Sequence, residues 1–265
     1  MGAILEALLL GVVQGLTEFL PVSSSGHLEI IKHILDDQSV AEQSMMTTVV
    51  LHFATALATI VIFRDDIITI LKGLFSGDSQ SKNFTVYVII SMIPAVVIGL
   101  LYEDVLETFF HRKIVLVSCM LILTGFLLLI SERIKTTTKP LGLLSSLIVG
   151  ISQAIAMIPG ISRSGATIST SLLLGIERTQ AARFSFLMVI PLIFGKIAKD
   201  VLSGDLVQHM ESPVYLAVGF LGAFVTGLVA CTAMLKIVKN AKLSYFAFYC
   251  FTVGIIIISY SLITS

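Results

Sequence analysis

The run G-V-V-Q-G-L-T-E-F-L-P-V-S-S-S-G-H, from Gly11 to His27, recurs as G-I-S-Q-A-I-A-M-I-P-G-I-S-R-S-G-A, from Gly150 to Ala166. A shift of 139 positions superimposes the two without a gap: Gly11 meets Gly150, Gln14 meets Gln153, Ser23 meets Ser162, Ser25 meets Ser164 and Gly26 meets Gly165. In both copies an apolar stretch is interrupted by polar and helix-breaking residues at matching places. Two unrelated surface loops would not share such breaks.

The surroundings of these runs identify the solvent. The 265 residues are 56% hydrophobic and 13% charged, with a mean hydropathy of +0.99, against about 25% charged residues in an ordinary soluble domain. Most of the chain must face lipid. Its 17 basic and 17 acidic side chains cancel, so no bulk charge favours nucleic acid as a partner. Cys119, Cys231 and Cys250 sit in long apolar runs without metal-site or disulfide spacing and read as packing residues. No Lys or Arg precedes Lys32, so the N-terminal stretch lacks the basic region of a cleavable signal and is expected to remain.

A helix crosses a bilayer in about 20 apolar residues. Residues 46–63, 85–102, 114–131, 184–200, 214–235 and 244–262 meet that need. The regions 3–35 and 143–175 are apolar but broken, the first by Gln14, Glu18, Pro21 and Ser23 to His27, the second by Gln153, Pro159, Gly160 and Ser162 to Gly165. Each reads as two short helices around a loop. Irregular backbone at membrane depth survives only when buried in protein or lining a wet cavity, so both are expected to be re-entrant hairpins.

Three spans follow each copy. Three is odd, so the second copy enters the membrane from the opposite face, which makes an inverted-topology repeat with a site where the broken elements meet. The expected fold is an all-α polytopic membrane protein of six transmembrane helices and two re-entrant helical hairpins. It forms a single membrane domain over 1–265, with repeats over approximately 1–135 and 140–265. Arg64, Lys72 and Lys82, then Arg133, Lys135, Lys139, Arg178 and Arg183, then Lys236, Lys239 and Lys242 fall on one side. Lys32, Arg112, Lys113, Lys196 and Lys199 fall on the other. The positive-inside rule puts the first set in the cytoplasm and both termini outside.

Ionisable groups inside membrane segments point to function, and Glu18, His27 and Arg163 are such groups. Gln14 and Glu18, four apart, share a helix face and could offer two oxygens to a hard cation, Mg2+ or Ca2+ rather than Zn2+. A polar seam between helices, with no metal, is the competing reading. The Ser-rich turn after Pro21 puts hydroxyls and free N–H groups at a helix start, where phosphate binds without help. Pro159 to Thr167 repeats that design and adds Arg163, a guanidinium suited to diphosphate oxygens. Together the two hairpins hold the parts for metal-assisted phosphoryl transfer.

At this point a resemblance enters. Q-G-L-T-E-F-L-P-V-S-S-S-G-H from Gln14 and P-G-I-S-R-S-G-A-T from Pro159 resemble the two signature regions of the undecaprenyl-diphosphate phosphatases, also called bacitracin-resistance proteins. The likeness extends along the chain through M-I-P-A-V-V-I-G-L-L from Met92 and F-S-F-L-M-V-I-P from Phe184. It implies hydrolysis of undecaprenyl diphosphate to undecaprenyl phosphate and inorganic phosphate, which recycles the cell-wall lipid carrier and confers bacitracin resistance, with a divalent cation required.

By position, the family's acidic motif falls on Gln14 and Glu18, where Gln14 is a permitted variant that leaves one carboxylate fewer. Its active-site Ser and His fall on Ser24 and His27, and its second motif on Ser162, Arg163 and Thr167. The expected catalytic set is Glu18, Ser24, His27 and Arg163. The diphosphate would lie on Ser23, Ser25, Gly26, Ser162, Ser164, Gly165 and Thr167, and the metal on Glu18 and Gln14.

The nucleophile stays open among Ser24 with His27 as base, His27 itself, and water activated by Glu18 or His27. The implied setting is a bacterial plasma membrane, with the site near the outer face and a polyprenyl diphosphate as lipid partner; a homodimer is left open. A carrier or flippase for polyprenyl phosphate would use the same midplane site. Gly219, Gly222, Ala223 and Gly227 read as close helix packing, and Phe246, Phe248, Tyr249 and Phe251 as core or interfacial belt. His52, His111 and His209, placed near span ends or loops, receive no role.

Overall fold

Long runs of apolar, helix-compatible residues in lipid must satisfy their backbone internally, and helices do so. The computed structural model describes residues 2–34, 41–109, 113–133, 138–203, 212–240 and 242–264. Arg112, Lys135, His111 and His209 lie outside the described residues. The described helices are α1 (Ala3–Phe19), α2 (Ser24–Ile34), α3 (Ala41–Ile62), α4 (Arg64–Ser76), α5 (Ser79–Leu101), α6 (Glu103–Glu107), α7 (Ile114–Glu132), α8 (Leu143–Ile155), α9 (Arg163–Leu173), α10 (Arg178–Ser203), α11 (Pro213–Asn240) and α12 (Ser244–Thr264).

Five of them (α5, α7, α10, α11 and α12) are long and apolar enough to cross a membrane, and the bent pair α3 and α4 is a sixth candidate. The α3–α4 joint bends by 73°, at the charged run Arg64, Asp65 and Asp66. Those charges stay in water while acidic side chains in the first turn favour the start of a helix, so α4 turns aside. The sequence reading did not anticipate it. Several expected spans gain turns: 85–102 becomes Ser79–Leu101, 184–200 becomes Arg178–Ser203 and 214–235 becomes Pro213–Asn240.

Helices α2, α8 and α9 have 11, 13 and 11 residues. At 1.5 Å per residue none reaches about 30 Å of hydrocarbon. α1 with α2, and α8 with α9, therefore form two hairpins that turn back. Each hairpin packs on a helix of the other half: α1 runs along α11, and α8 along α5. Matched glycines permit this. A Cβ on Gly11 would lie 2.2 Å from the Gly219 carbonyl oxygen, and one on Gly150 would lie 2.4 Å from that of Ser91. Backbones approach this closely only where no side chain intervenes.

The basic loops gather at one end. Arg183 pairs with Asp66 at 2.6 Å and Arg178 with Glu132 at 3.3 Å, while Glu132 also accepts from the backbone N–H of Leu243 at 2.5 Å. The loops after α3 and α7, the start of α10 and the start of α12 thus share a surface. A separate pair, Lys199 with Glu103, joins α10 to α6. Cys231 and Cys250 are buried and Cys119 is exposed, as packing residues among helices and lipid would be.

Candidate active site

The two broken segments start their second helices in the same manner. Ser23 Oγ accepts from the Gly26 N–H at 3.2 Å and Ser162 Oγ accepts from the Gly165 N–H at 3.0 Å. Ser23 and Ser25 hydroxyls lie 3.4 Å apart, those of Ser162 and Ser164 3.3 Å. These are serine N-caps, and every pair is related by the shift of 139. The turns before them differ. Ser23 itself is left-handed, at φ 69°, whereas the second turn uses Gly160, at φ 96°. A serine held there is strained, a condition concentrated at functional sites.

The hairpin tips touch. Ser164 donates to the Leu20 carbonyl at 3.2 Å, and a Cβ on Gly26 would lie 3.1 Å from Gly160 Cα. Glu18, 8% exposed, is the hub. Its Oε1 pairs with Arg163 at 2.5 Å, and its Oε2 accepts from Ser24 Oγ at 2.7 Å and from Gln14 Nε2 at 3.0 Å. A carboxylate at this depth is sustainable only when so paired and hydrogen-bonded. The Arg163 guanidinium also donates to the Ser185 carbonyl at 3.2 Å. Ser24, Ser25 and Arg163 are half-buried, and Gln14, Ser23, His27, Ser162, Ser164 and Thr167 are buried, so the first three form the open side.

The geometry of His27 departs from the expected pairing with Ser24. Nδ1 faces the Ser23 carbonyl at 2.8 Å and Nε2 faces the Tyr249 hydroxyl at 2.8 Å. A carbonyl only accepts, so Nδ1 holds the proton and Nε2 accepts from the phenol. The rings lie 5.6 Å apart and nearly parallel, at 11°. Both nitrogens are thus engaged away from Ser24, whose hydroxyl points to Glu18. Thr167 likewise turns from the open side: its hydroxyl lies 2.6 Å from Ser185 Oγ and donates to the Arg163 carbonyl at 2.8 Å.

Four side chains at the site escaped the sequence reading. Tyr249 reads from the sequence as core or interfacial belt, and nothing local distinguishes it there. Ser185 holds Arg163 and Thr167. Thr124 accepts from the Ser162 N–H at 3.0 Å and donates to the Gly160 carbonyl at 3.1 Å, fastening the second turn to α7. His52 is not at a span end. It lies well inside α3 with Nε2 3.7 Å from Glu18 Oε2, and an ionisable residue among apolar ones was the signal that could have found it.

A divalent cation would need oxygen donors here. Gln14 Oε1 is buried and has no hydrogen-bond partner among the described residues, an expensive state that a cation would relieve. No cluster of three His, Cys, Asp or Glu occurs among the described residues. One carboxylate, one amide oxygen and oxygens from substrate and water suit Mg2+, which keeps several waters and uses few protein ligands. The residues fit that role.

The family model described as bacitracin resistance protein BacA matches residues 7–256. A protein of Christiangramia forsetii is 56% identical over 253 residues, covering 95% of this chain and 96% of its own. One from Parabacteroides distasonis is 43% identical over 263 residues, covering 97% and 98%. One from Methanococcus vannielii is 38% identical over 260 residues, covering 97% and 100%. All three carry the name undecaprenyl-diphosphatase. With both signature hairpins converging on Glu18 and a match spanning nearly its whole length, this chain belongs to the bacitracin resistance protein BacA family.

Proposed function

We propose that this protein hydrolyses undecaprenyl diphosphate to undecaprenyl phosphate and inorganic phosphate, recycling the carrier of cell-wall synthesis and conferring bacitracin resistance. The observation that carries the reading is the chain Ser24–Glu18–Arg163, which joins a hydroxyl, a carboxylate and a guanidinium from both hairpins within hydrogen-bond distance. The relatives' common name agrees with it.

The diphosphate would approach the open side formed by Ser24, Ser25 and Arg163. Its oxygens compete with Glu18 Oε1 for the Arg163 guanidinium, which binds either acid in a fork. A carboxylate released from Arg163 is a stronger acceptor for the Ser24 proton 2.7 Å from its other oxygen. Ser24 then attacks the terminal phosphorus, while Arg163 and the N–H groups at the starts of α2 and α9 stabilise charge moving onto the leaving undecaprenyl phosphate. The protonated Glu18 passes its proton to the departing undecaprenyl phosphate; the restored carboxylate then takes a proton from the attacking water and returns it to the Ser24 oxygen as the phosphate leaves. His27 holds the Ser23–Ser24 turn by bonding the Ser23 carbonyl.

Glu18, through its carboxylate, and Gln14, through Oε1, would hold a divalent cation. Such an ion supplies Lewis-acid stabilisation of phosphate charge. Buried Ser23, Ser162, Ser164 and Thr167 support the turns, and the Gly26 and Gly165 N–H groups, expected to meet the diphosphate, are instead spent on the capping hydroxyls of Ser23 and Ser162. The prenyl tail would lie along the lipid-facing helices.

The proposed arrangement is one membrane domain over 1–265, with repeats near 1–135 and 140–265, in a bacterial plasma membrane. The end bearing Arg64, Arg133, Arg178, Arg183 and Lys239 is cytoplasmic by the positive-inside rule. Both termini and the mouth of the site then face outward. No observation favours a carrier that binds without cleaving. The test is phosphate release from a polyprenyl diphosphate by the purified protein in detergent, with and without EDTA, beside Arg163→Ala. Release that disappears with chelator and with the variant is expected; a folded, lipid-binding protein that releases none would overturn the reading.

A further inference from the structure

We propose that His52 is a third protein ligand of the cation, replacing the carboxylate that the Gln14 position lacks. The inference rests on the cation reading above and extends it to a residue outside both signature motifs.

His52 Nδ1 faces the Thr48 carbonyl at 2.8 Å. A carbonyl cannot donate, so Nδ1 carries a proton and Nε2 is the ring atom turned toward Glu18. Nε2 lies 3.7 Å from Glu18 Oε2, beyond the range of about 2.7–3.2 Å for a hydrogen bond between such atoms. The two atoms therefore face each other with a gap between them. Metal–ligand bonds of about 2.1 Å on each side span such a gap with a bent ligand–metal–ligand angle.

Two further features point to a cation. Metal-binding histidines commonly donate the other ring N–H to a backbone carbonyl, which fixes the tautomer and aims the ligand nitrogen; Thr48 does this here. Gln14 Oε1, in the fully buried side chain bonded to the same Glu18 oxygen, is an acceptor without a partner among the described residues. His52, Glu18 and Gln14, from α3 and α1, are the one nitrogen and two oxygens that would take the cation. Since His27 uses both ring nitrogens for Ser23 and Tyr249, the assignment goes to His52 rather than to His27. A mixed nitrogen–oxygen set is less suited to Ca2+ than an all-oxygen set, and its carboxylate and amide oxygens suit Mn2+.

Mn2+ is the probe, added to the full-length protein in detergent with and without methylenediphosphonate and followed by electron paramagnetic resonance. Wild type is expected to bind Mn2+ with modulation from a directly bound nitrogen. His52→Gln is expected to lose that modulation and to bind Mn2+ roughly tenfold or more weakly; His27→Gln should keep it. His52→Glu, which restores a charged donor, should recover affinity with the nitrogen signal gone, and this separates ligation from loss of folding. Bound Mn2+ in wild type without nitrogen modulation, or modulation that persists in His52→Gln, overturns the assignment while leaving the cation reading intact. No Mn2+ binding by wild type, together with phosphate release that survives EDTA, overturns both.

Discussion

Ser24 Oγ donates to Glu18 Oε2 across 2.7 Å, whereas the nearby His27 spends both ring nitrogens on Ser23 and Tyr249. The hydroxyl with a base in reach is thus paired with a carboxylate from the other arm of its own hairpin. This relationship orders the expected losses among the site variants.

Ser24→Ala is expected to reduce kcat for phosphate release by about a thousandfold or more, and Glu18→Gln by a similar factor, since loss of a nucleophile or its base typically removes 10²–10⁴ in rate. Stopped assays with a terminally labelled diphosphate should trap label on Ser24 in wild type. Substantial turnover in the Ser24→Ala protein would remove Ser24 as nucleophile.

Tyr249→Phe deletes the phenol that bonds His27 Nε2 but keeps the stacked ring. An activity loss of about tenfold and a stability loss of about 1 kcal/mol are expected, the usual worth of one hydrogen bond. Activity falling as far as in His27→Gln would show that the phenol does more than hold the ring.

Arg163→Ala leaves Glu18 buried without its counter-charge, and losing one partner of a buried pair costs about 3–5 kcal/mol. Thermal unfolding in detergent should show a large drop in Tm, partly restored when Glu18→Gln is added. If the double variant unfolds no later than Arg163→Ala alone, the pair is not the source of the loss.

Gly11→Ala and Gly150→Ala should each destabilise by about 1–3 kcal/mol, the range for overpacking, because each new methyl would meet a carbonyl of the opposing helix within 2.5 Å. Gly195→Ala, inside α10 with nothing within 4 Å of the new Cβ, is the control and should hold or slightly raise Tm, since Ala is the better helix former. Equal Tm values for all three would contradict the crossed packing of the hairpins.

Glu177, at the water-exposed start of α10, caps that helix. Burial tends to raise its pKa, but hydrogen bonds from the Thr179 and Gln180 N–H groups, each 2.9 Å, outweigh it and hold the pKa below the ordinary value. A depressed carboxylate contributes stability above its unfolded pKa of about 4.3 and loses it as pH falls through the folded value. Glu177→Ala should cost about 1 kcal/mol near neutrality, and the difference in Tm from wild type should shrink as pH drops below about 4.

Much of the fold was legible in the chain because lipid imposes a simple rule: every backbone polar group is satisfied within a helix, so length and apolarity mark the spans. The recurrence of Gly11 to His27 at Gly150 to Ala166 identified the broken hairpins, since N-cap serines and matched glycines do local work that any register preserves. The bend at Arg64 was missed because α4 is amphipathic and its direction depends on where the interface lies.

Within the site, the sequence by itself determined which residues could not be bland: Glu18, His27 and Arg163 are too costly in a membrane to lack partners. Only the tertiary structure decided who those partners are. It set Arg163 on Glu18 from α9, brought Tyr249 from α12 to His27, and turned His52 on α3 toward Glu18. Spacing along a helix fixes which residues share a face, but contacts between helices depend on how those faces cross, and that is settled by packing over the whole molecule.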